Sequence, residues 1–175
     1  MHLLTVLATF AATVLAAPTD SVLPLSTNIT ISFPQPTTTT TTTTPTPSVF
    51  VKNHCPFPVY ITSVGLGGPR APTQEISAGA TWSEPQYWSG TGTALDITRY
   101  SDGLWASAPV LVLGYTYTPG TSIYYDINVH AGNPFPGGTV KLSGAGGDTW
   151  WNGEAQPPTT KSFLGETDLT LDLCF

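Results

Sequence analysis

Apolar and polar residues alternate in short segments between residues 48 and 175, which is the pattern of strands with one buried face. In Ser122–Val129, apolar side chains occupy every second position and mostly polar ones lie between them. Turns rich in glycine and proline separate the segments. No segment shows the roughly 3.6-residue period of a helix. The pattern therefore predicts an all-β domain, a β-sandwich, over residues 48–175.

The predicted strands are short, and glycine or proline lies between most of them. They cover residues 57–64, 74–76, 81–84, 93–100, 110–117, 122–129, 139–142 and 169–173. Val110–Tyr117 is apolar on both faces, which indicates a central strand. Pro56 and Pro58 flank Phe57 at the beginning of the first strand. Since proline has no N–H to donate, this strand is predicted to begin at a sheet edge.

Residues 1–16 have the pattern of a secretory signal peptide. A polar start at His2 precedes an apolar run from Leu3 to Leu15, and small residues follow at Ala16 and Ala17. The run is too short to span a membrane, so no membrane span is predicted. A short buried helix is the alternative interpretation. The prediction is a secreted, extracellular protein.

Residues 17–47 have the composition of a stalk. Thr37–Thr44 is an unbroken threonine run flanked by prolines. A segment of this kind cannot bury enough apolar area to offset its ordering entropy, which predicts a disordered Thr/Pro-rich linker. Such tracts are typical of O-glycosylated spacers, and Asn28 begins an N-glycosylation sequon. An unmodified linker is the alternative.

The charge pattern excludes several classes of partner. Charged residues make up 9% of the chain, and its net charge is −6. The few basic side chains are scattered, whereas nucleic acids and anionic membranes require a basic patch. His54 and His130 have no partner at a metal-ligand spacing. The prediction is a monomer with no metal, no cofactor and no nucleic-acid partner.

The two cysteines are placed to form one disulfide. Cys55 precedes the first predicted strand, and Cys174 follows the last. An even pair in a secreted chain is usually oxidised, which predicts a Cys55–Cys174 bridge. Two free thiols are the alternative.

Three motifs, in this order, resemble the thaumatin-like family. Asn53–Tyr60 contains an Asn-x-Cys motif, and Gly79–Trp82 is a Gly-x-Thr-Trp motif. Tyr125–Asn133 begins with an aromatic residue, an aspartate and an aliphatic residue. More closely, residues 48–175 resemble the small fungal secreted proteins called antigenic thaumatin-like, or yeast-phase-specific, proteins. The resemblance implies a thaumatin-like antiparallel β-sandwich without the cysteine-rich second domain of plant members. It also implies the same pairing of Cys55 with Cys174.

Some thaumatin-like proteins hydrolyse β-1,3-glucan in an acidic cleft. The resemblance implies that the three acidic positions of that cleft correspond to Gly114, Asp126 and Ala131, so two of the three hold no acid here. Asp126 is then its residual acid. Glycoside hydrolysis needs two carboxyl groups, so the prediction is a protein with no catalytic residues. Asp96, Asp102 and Arg99 are the residues from which a rebuilt acidic cleft would be made. The alternative for Asp126 is an ordinary polar residue on an outward face.

Aromatic residues in glycine-rich sequence suggest a different activity. Trp150 and Trp151 follow a run of glycines, with Asp148 and Asn152 beside them. Tryptophan rings stack on flat apolar faces such as those of sugars, and the polar neighbours can hydrogen-bond hydroxyl groups. These four residues are therefore the candidate glycan-binding site. The alternative is that the rings cap the sandwich core.

Together these observations predict a secreted, non-enzymatic protein that acts as a cell-surface antigen or glycan-binding module at the fungal wall. Cell-wall polysaccharide, in particular β-glucan, is the expected partner. Two alternatives remain: a β-1,3-glucan hydrolase with a rebuilt acidic cleft, and a secreted antimicrobial or effector protein.

Overall fold

The structure, a computed structural model, describes residues 45–175, and strands are the regular elements of this part of the chain. They are β1 (Ser48–Asn53), β2 (Val59–Gly65), β3 (Gly68–Pro69), β4 (Gln74–Ile76), β5 (Thr81–Pro85), β6 (Thr93–Thr98), β7 (Val110–Thr118), β8 (Ser122–His130), β9 (Thr139–Ser143), β10 (Thr149–Asn152), β11 (Lys161–Leu164) and β12 (Leu169–Leu173).

The strands form two sheets. The first has five strands in the order β10-β9-β12-β1-β5. The second has seven, in the order β11-β8-β7-β6-β2-β3, with β4 also paired to β2. The pairs are antiparallel except for β1 and β12, which run parallel. The predicted all-β sandwich is confirmed.

The core lies between the two sheets because each strand turns every second side chain inward. The fully buried aliphatic residues come from both sheets and include Val49, Val51, Ile61, Leu95, Leu111, Leu113, Ile123, Ile127, Leu169 and Leu171. The alternation predicted for Ser122–Val129 places its apolar residues in this core. Tyr124, Asp126 and Asn128 of the same strand face outward, where they are available to a ligand.

The Cys55–Cys174 disulfide closes one end of the sandwich. Cys55 follows β1 and Cys174 follows β12, and these two strands are parallel neighbours, so their ends meet. The two Cα atoms are 4.9 Å apart and the sulfur atoms are bonded, a separation usual for a disulfide. The predicted bridge is confirmed, and the alternative of two free thiols is wrong.

The prediction that the strand after Pro58 begins at a sheet edge is wrong. This strand is β2, and it pairs with β6 on one side and with β3 and β4 on the other. Pro56 and Pro58 precede its first residue, Val59, so no hydrogen bond of the ladder requires an N–H group from either proline. The preceding strand, β1, lies in the other sheet.

Four elements lie in sequence for which no strand was predicted, namely β1, β3, β10 and β11. Thr149–Asn152 forms β10 inside the glycine-rich segment, and Lys161–Leu164 forms β11. Each of these two lies at the edge of its sheet. Four residues between glycines or prolines are too few to show a period, so the local pattern gave no signal.

The predicted signal peptide, most of the predicted linker and the Asn28 sequon lie outside the described residues. Pro47, the last residue of the predicted linker, is buried, and its carbonyl oxygen accepts a hydrogen bond of 2.8 Å from the backbone N–H of Gln86. The described residues contain no helix that is long and apolar enough to cross a membrane.

Candidate functional site

The two adjacent tryptophans of β10 point in opposite directions, as strand geometry requires. Trp150 faces outward with 60% of its surface exposed, whereas Trp151 is 2% exposed and belongs to the core. Trp151 therefore cannot stack on a ligand. The prediction that both tryptophans bind a ligand is wrong for Trp151. Its ring packs in the core, as the alternative interpretation proposed. Trp150 alone remains available.

Asp148 and Asn152 lie on either side of Trp150, two positions away along the chain, and are exposed like it. Asp148 forms a 2.7 Å ion pair with Lys141, and the hydrogen bond from Lys141 lowers the pKa of the Asp148 carboxyl. The Asn152 side-chain oxygen accepts a hydrogen bond of 3.1 Å from the Thr139 hydroxyl. Three of the four predicted residues thus form one outward surface, which we call the Trp150 face.

The charges next to the Trp150 face are arranged in a row across the sheet. The register places Trp150 opposite Lys141, Lys141 opposite Asp172, and Asp172 opposite Lys52. Asp172 also contacts His54, with 2.9 Å between its Oδ1 and the ring Nε2. Positive and negative groups alternate, so their charges largely offset one another. This surface suits a neutral ligand with many hydroxyl groups.

Asp126 lies in a shallow cleft of about 210 Å³ on the outer face of the second sheet. Its Oδ2 accepts a hydrogen bond of 2.9 Å from the Thr160 hydroxyl. Gly114 stands directly opposite Asp126 in the ladder, and a side chain there would begin 3.2 Å from Asp126 Oδ1. Asp126 is the one carboxyl group that lines this cleft in the described structure. Ala131 follows the end of β8 and brings no second one.

The three residues proposed for a rebuilt acidic cleft do not gather around Asp126. Asp96 lines a different depression together with His130, and burial raises the pKa of Asp96. Asp102 lies in the turn segment after β6, and the Arg99 guanidinium stacks 4.0 Å from the centre of the Phe57 ring. The cleft as it stands offers one acid, which cannot act as both proton donor and base or nucleophile.

Glu84 is a further candidate that the sequence analysis did not select. It lines a pocket of about 300 Å³ together with Ser63, Arg70, Gln74 and Trp82. Burial raises the pKa of the Glu84 carboxyl. A signal was present in the sequence: Glu84 lies two residues after Trp82 and thus on the same strand face, so an inward tryptophan implies an inward carboxyl group.

Metal chemistry has no support in the described residues. Within residues 45–175, no group of three or more His, Cys, Asp or Glu side chains is placed to hold an ion. His54 contacts a single carboxylate, and His130 shares its depression with Asp96 alone among acidic residues.

A family model described as Blastomyces yeast-phase-specific protein (Bys1) matches residues 37–175. A comparison with curated proteins finds no match.

Two solved structures resemble the fold. One is the protein elicitor MoHrip2 from Magnaporthe oryzae, with a TM-score of 0.59 and 22% identity, covering 74% of this chain and 99% of that one. The other is the thaumatin-like xylanase inhibitor TLXI, with a TM-score of 0.47 and 14% identity, covering 73% of this chain and 99% of that one. The first likeness supports the sandwich.

Proposed function

The chain belongs to the Blastomyces yeast-phase-specific protein family, and from this premise we propose that it is a secreted, non-enzymatic glycan-binding protein of the fungal cell surface. The expected partner is a neutral wall polysaccharide such as β-glucan. The predicted linker, apart from the buried Pro47, would then serve as a glycosylated spacer, and the sandwich would be the part that meets the glycan.

The Trp150 face is the observation that carries this proposal. The Trp150 ring is exposed over 60% of its surface and lies on a strand, whereas Trp88 and Trp105, which are exposed as well, lie outside the strands. Asp148 and Asn152 flank it with acceptor oxygens. A flat apolar ring with hydrogen-bonding groups on both sides matches a sugar ring, which has an apolar face and a hydroxyl edge.

The two alternatives have weaker support. A β-1,3-glucan hydrolase needs two carboxyl groups about 5–10 Å apart, and the cleft of Asp126 has one. An effector role would follow the protein elicitor MoHrip2, whose fold is similar. At 22% identity that likeness supports the fold, and no described site favours the effector role for this chain.

Trp150→Ala is expected to weaken retention of the protein on insoluble β-1,3-glucan by about tenfold, the loss that corresponds to about 1.4 kcal/mol of contact energy. Trp105→Ala is the matched control, because Trp105 is also exposed, at 80%, and lies in a different segment. Asp126→Ala is expected to leave retention unchanged. The measurement is the bound fraction at increasing glucan concentration.

Two results would contradict the proposal. One is the absence of retention by the wild-type protein, and the other is equal retention by the Trp150→Ala and wild-type proteins. Thermal unfolding of each variant shows whether a loss of retention reflects a loss of folding. Since Trp150 is exposed, its replacement is expected to change stability by less than about 0.5 kcal/mol.

A further inference from the structure

The pocket of Glu84 lies between the two sheets, where β5, an edge strand of the first sheet, lies next to β2 of the second. Ser63 comes from β2 of the second sheet, while Trp82 and Glu84 come from β5 of the first. Arg70 lies just after β3, and its backbone N–H donates to the Ser63 carbonyl oxygen at 2.9 Å, which fixes it at the rim. The volume, about 300 Å³, is at the lower limit of small-molecule sites.

The charged groups of the pocket compensate each other. The Glu84 side chain is 15% exposed, and its Oε1 accepts a hydrogen bond of 2.7 Å from the Ser63 hydroxyl. Its Oε2 lies 3.5 Å from Arg70 Nη1. The Arg70 guanidinium is itself held 3.5 Å from the centre of the Tyr87 ring. An anion would therefore meet the Glu84 carboxylate, and an ammonium group would meet Arg70.

The lining of the pocket also includes apolar groups and a further hydrogen-bonding side chain. Trp82, which lies beside Glu84 on the same face of β5, and the prolines Pro72 and Pro85 supply the apolar part. The Trp82 indole Nε1 donates to the Gln74 side-chain oxygen at 2.7 Å, which holds the indole in place. The Gln74 amide nitrogen makes no hydrogen bond within the described residues, so it is available to a ligand. The pocket thus combines an aromatic wall with donors and acceptors of zero net charge.

We propose that this pocket binds a neutral, polyhydroxylated ligand of about one sugar ring, stacked on Trp82 and hydrogen-bonded by Glu84, Arg70 and Gln74. The carboxylate accepts from ligand hydroxyls, and the guanidinium and amide donate to ligand oxygens. The site shares no residue with the Trp150 face and does not depend on it. Burial of Glu84, which raises its pKa, also makes each hydrogen bond to it stronger than in water.

The test is a titration of the full-length ¹⁵N-labelled chain with methyl β-D-glucopyranoside, followed by the indole N–H resonance of Trp82. The expected result is a saturable shift with a Kd on the order of 1 mM, from the binding energy per atom usual for small ligands. Glu84→Gln keeps the shape of the side chain and is expected to weaken binding by about tenfold, as hydrogen bonds to charged groups are the stronger ones.

Further variants make the outcome specific to this pocket. Arg70→Gln leaves Glu84 in place and is expected to weaken binding as well, which keeps the test valid if Glu84→Gln fails to fold. Trp150→Ala is expected to leave the Trp82 shift unchanged. The experiment therefore distinguishes failure of the proposal for this pocket from failure of the proposal for the Trp150 face. Inorganic phosphate and ethylammonium are expected to give no saturable shift.

A Trp82 resonance that does not saturate with the glucoside would overturn the proposal. So would equal affinity in the wild-type, Glu84→Gln and Arg70→Gln proteins. Saturable binding of phosphate or ethylammonium as tight as that of the glucoside would show that the pocket selects a charged ligand instead.

Discussion

Replacing both Cys55 and Cys174 with serine is expected to lower the free energy of unfolding by about 4–5 kcal/mol, the value of the chain-entropy model for a loop of this length. The two residues are separated by 119 positions. Without the bridge the unfolded chain regains the freedom of nearly the whole domain. The folded state keeps its β1–β12 pairing, so the loss of stability comes mainly from the greater conformational entropy of the unfolded state.

Urea unfolding of the double variant measures this effect. The wild-type protein under reducing conditions is the matched control and is expected to unfold at the same urea concentration as the variant. A midpoint equal to that of the oxidised wild-type protein would show that the bridge does not stabilise the fold.

Asn53→Ala is expected to lower the free energy of unfolding by about 3 kcal/mol, because it leaves several buried polar groups without partners. Asn53 is 1% exposed at the end of β1. Its amide nitrogen lies 2.9 Å from the carbonyl oxygens of Phe57 and Ile76 and 3.2 Å from that of Ser77. Its side-chain oxygen accepts from the Cys55 N–H at 3.0 Å.

These contacts tie the end of β1 to β4 and to the segment that leads into β2, and so join the two sheets. Asn53→Asp is the isosteric variant and places a carboxylate against carbonyl oxygens, which raises the pKa of the new carboxyl group in the folded state. Its destabilisation is therefore expected to be largest at neutral pH. It should decrease as the pH falls through the raised folded pKa.

Asn152→Ala serves as the control for Asn53, since Asn152 is exposed and accepts one hydrogen bond from Thr139. Its effect is expected to be less than about 0.5 kcal/mol. Equal stabilities of the Asn53→Ala and wild-type proteins would contradict the role assigned to Asn53.

Sequence periodicity predicted the long strands because they bury one face over many residues. Ser122–Val129 is such a case, and β8 covers it almost residue for residue. The same reasoning failed for Thr149–Asn152, where four residues after a glycine run show no period. Strand pairing was also out of reach. The parallel contact of β1 with β12 joins residues about 120 positions apart, and no local pattern encodes it.

The residues of the candidate site were likewise predictable only in part. Trp150 was found because it follows a run of glycines and has polar neighbours, whereas Trp151 was misassigned because its inward direction depends on β10 being a strand. The relation of Gly114 to Asp126 came from the family resemblance, and the ladder places the two residues opposite each other. For Glu84 the sequence indicated the inward direction through Trp82, but the pocket around it also requires Ser63 from the other sheet, which no local pattern encodes.

The central claim is that this sandwich binds glycan without cleaving it, and reducing-sugar release from insoluble β-1,3-glucan tests that claim most directly. Protein retention and sugar release are measured in the same tubes. We expect retention of the wild-type protein and no release above the protein-free control, because the Asp126 cleft holds one carboxyl group where hydrolysis needs two. Release that Asp126→Ala abolishes would contradict this account.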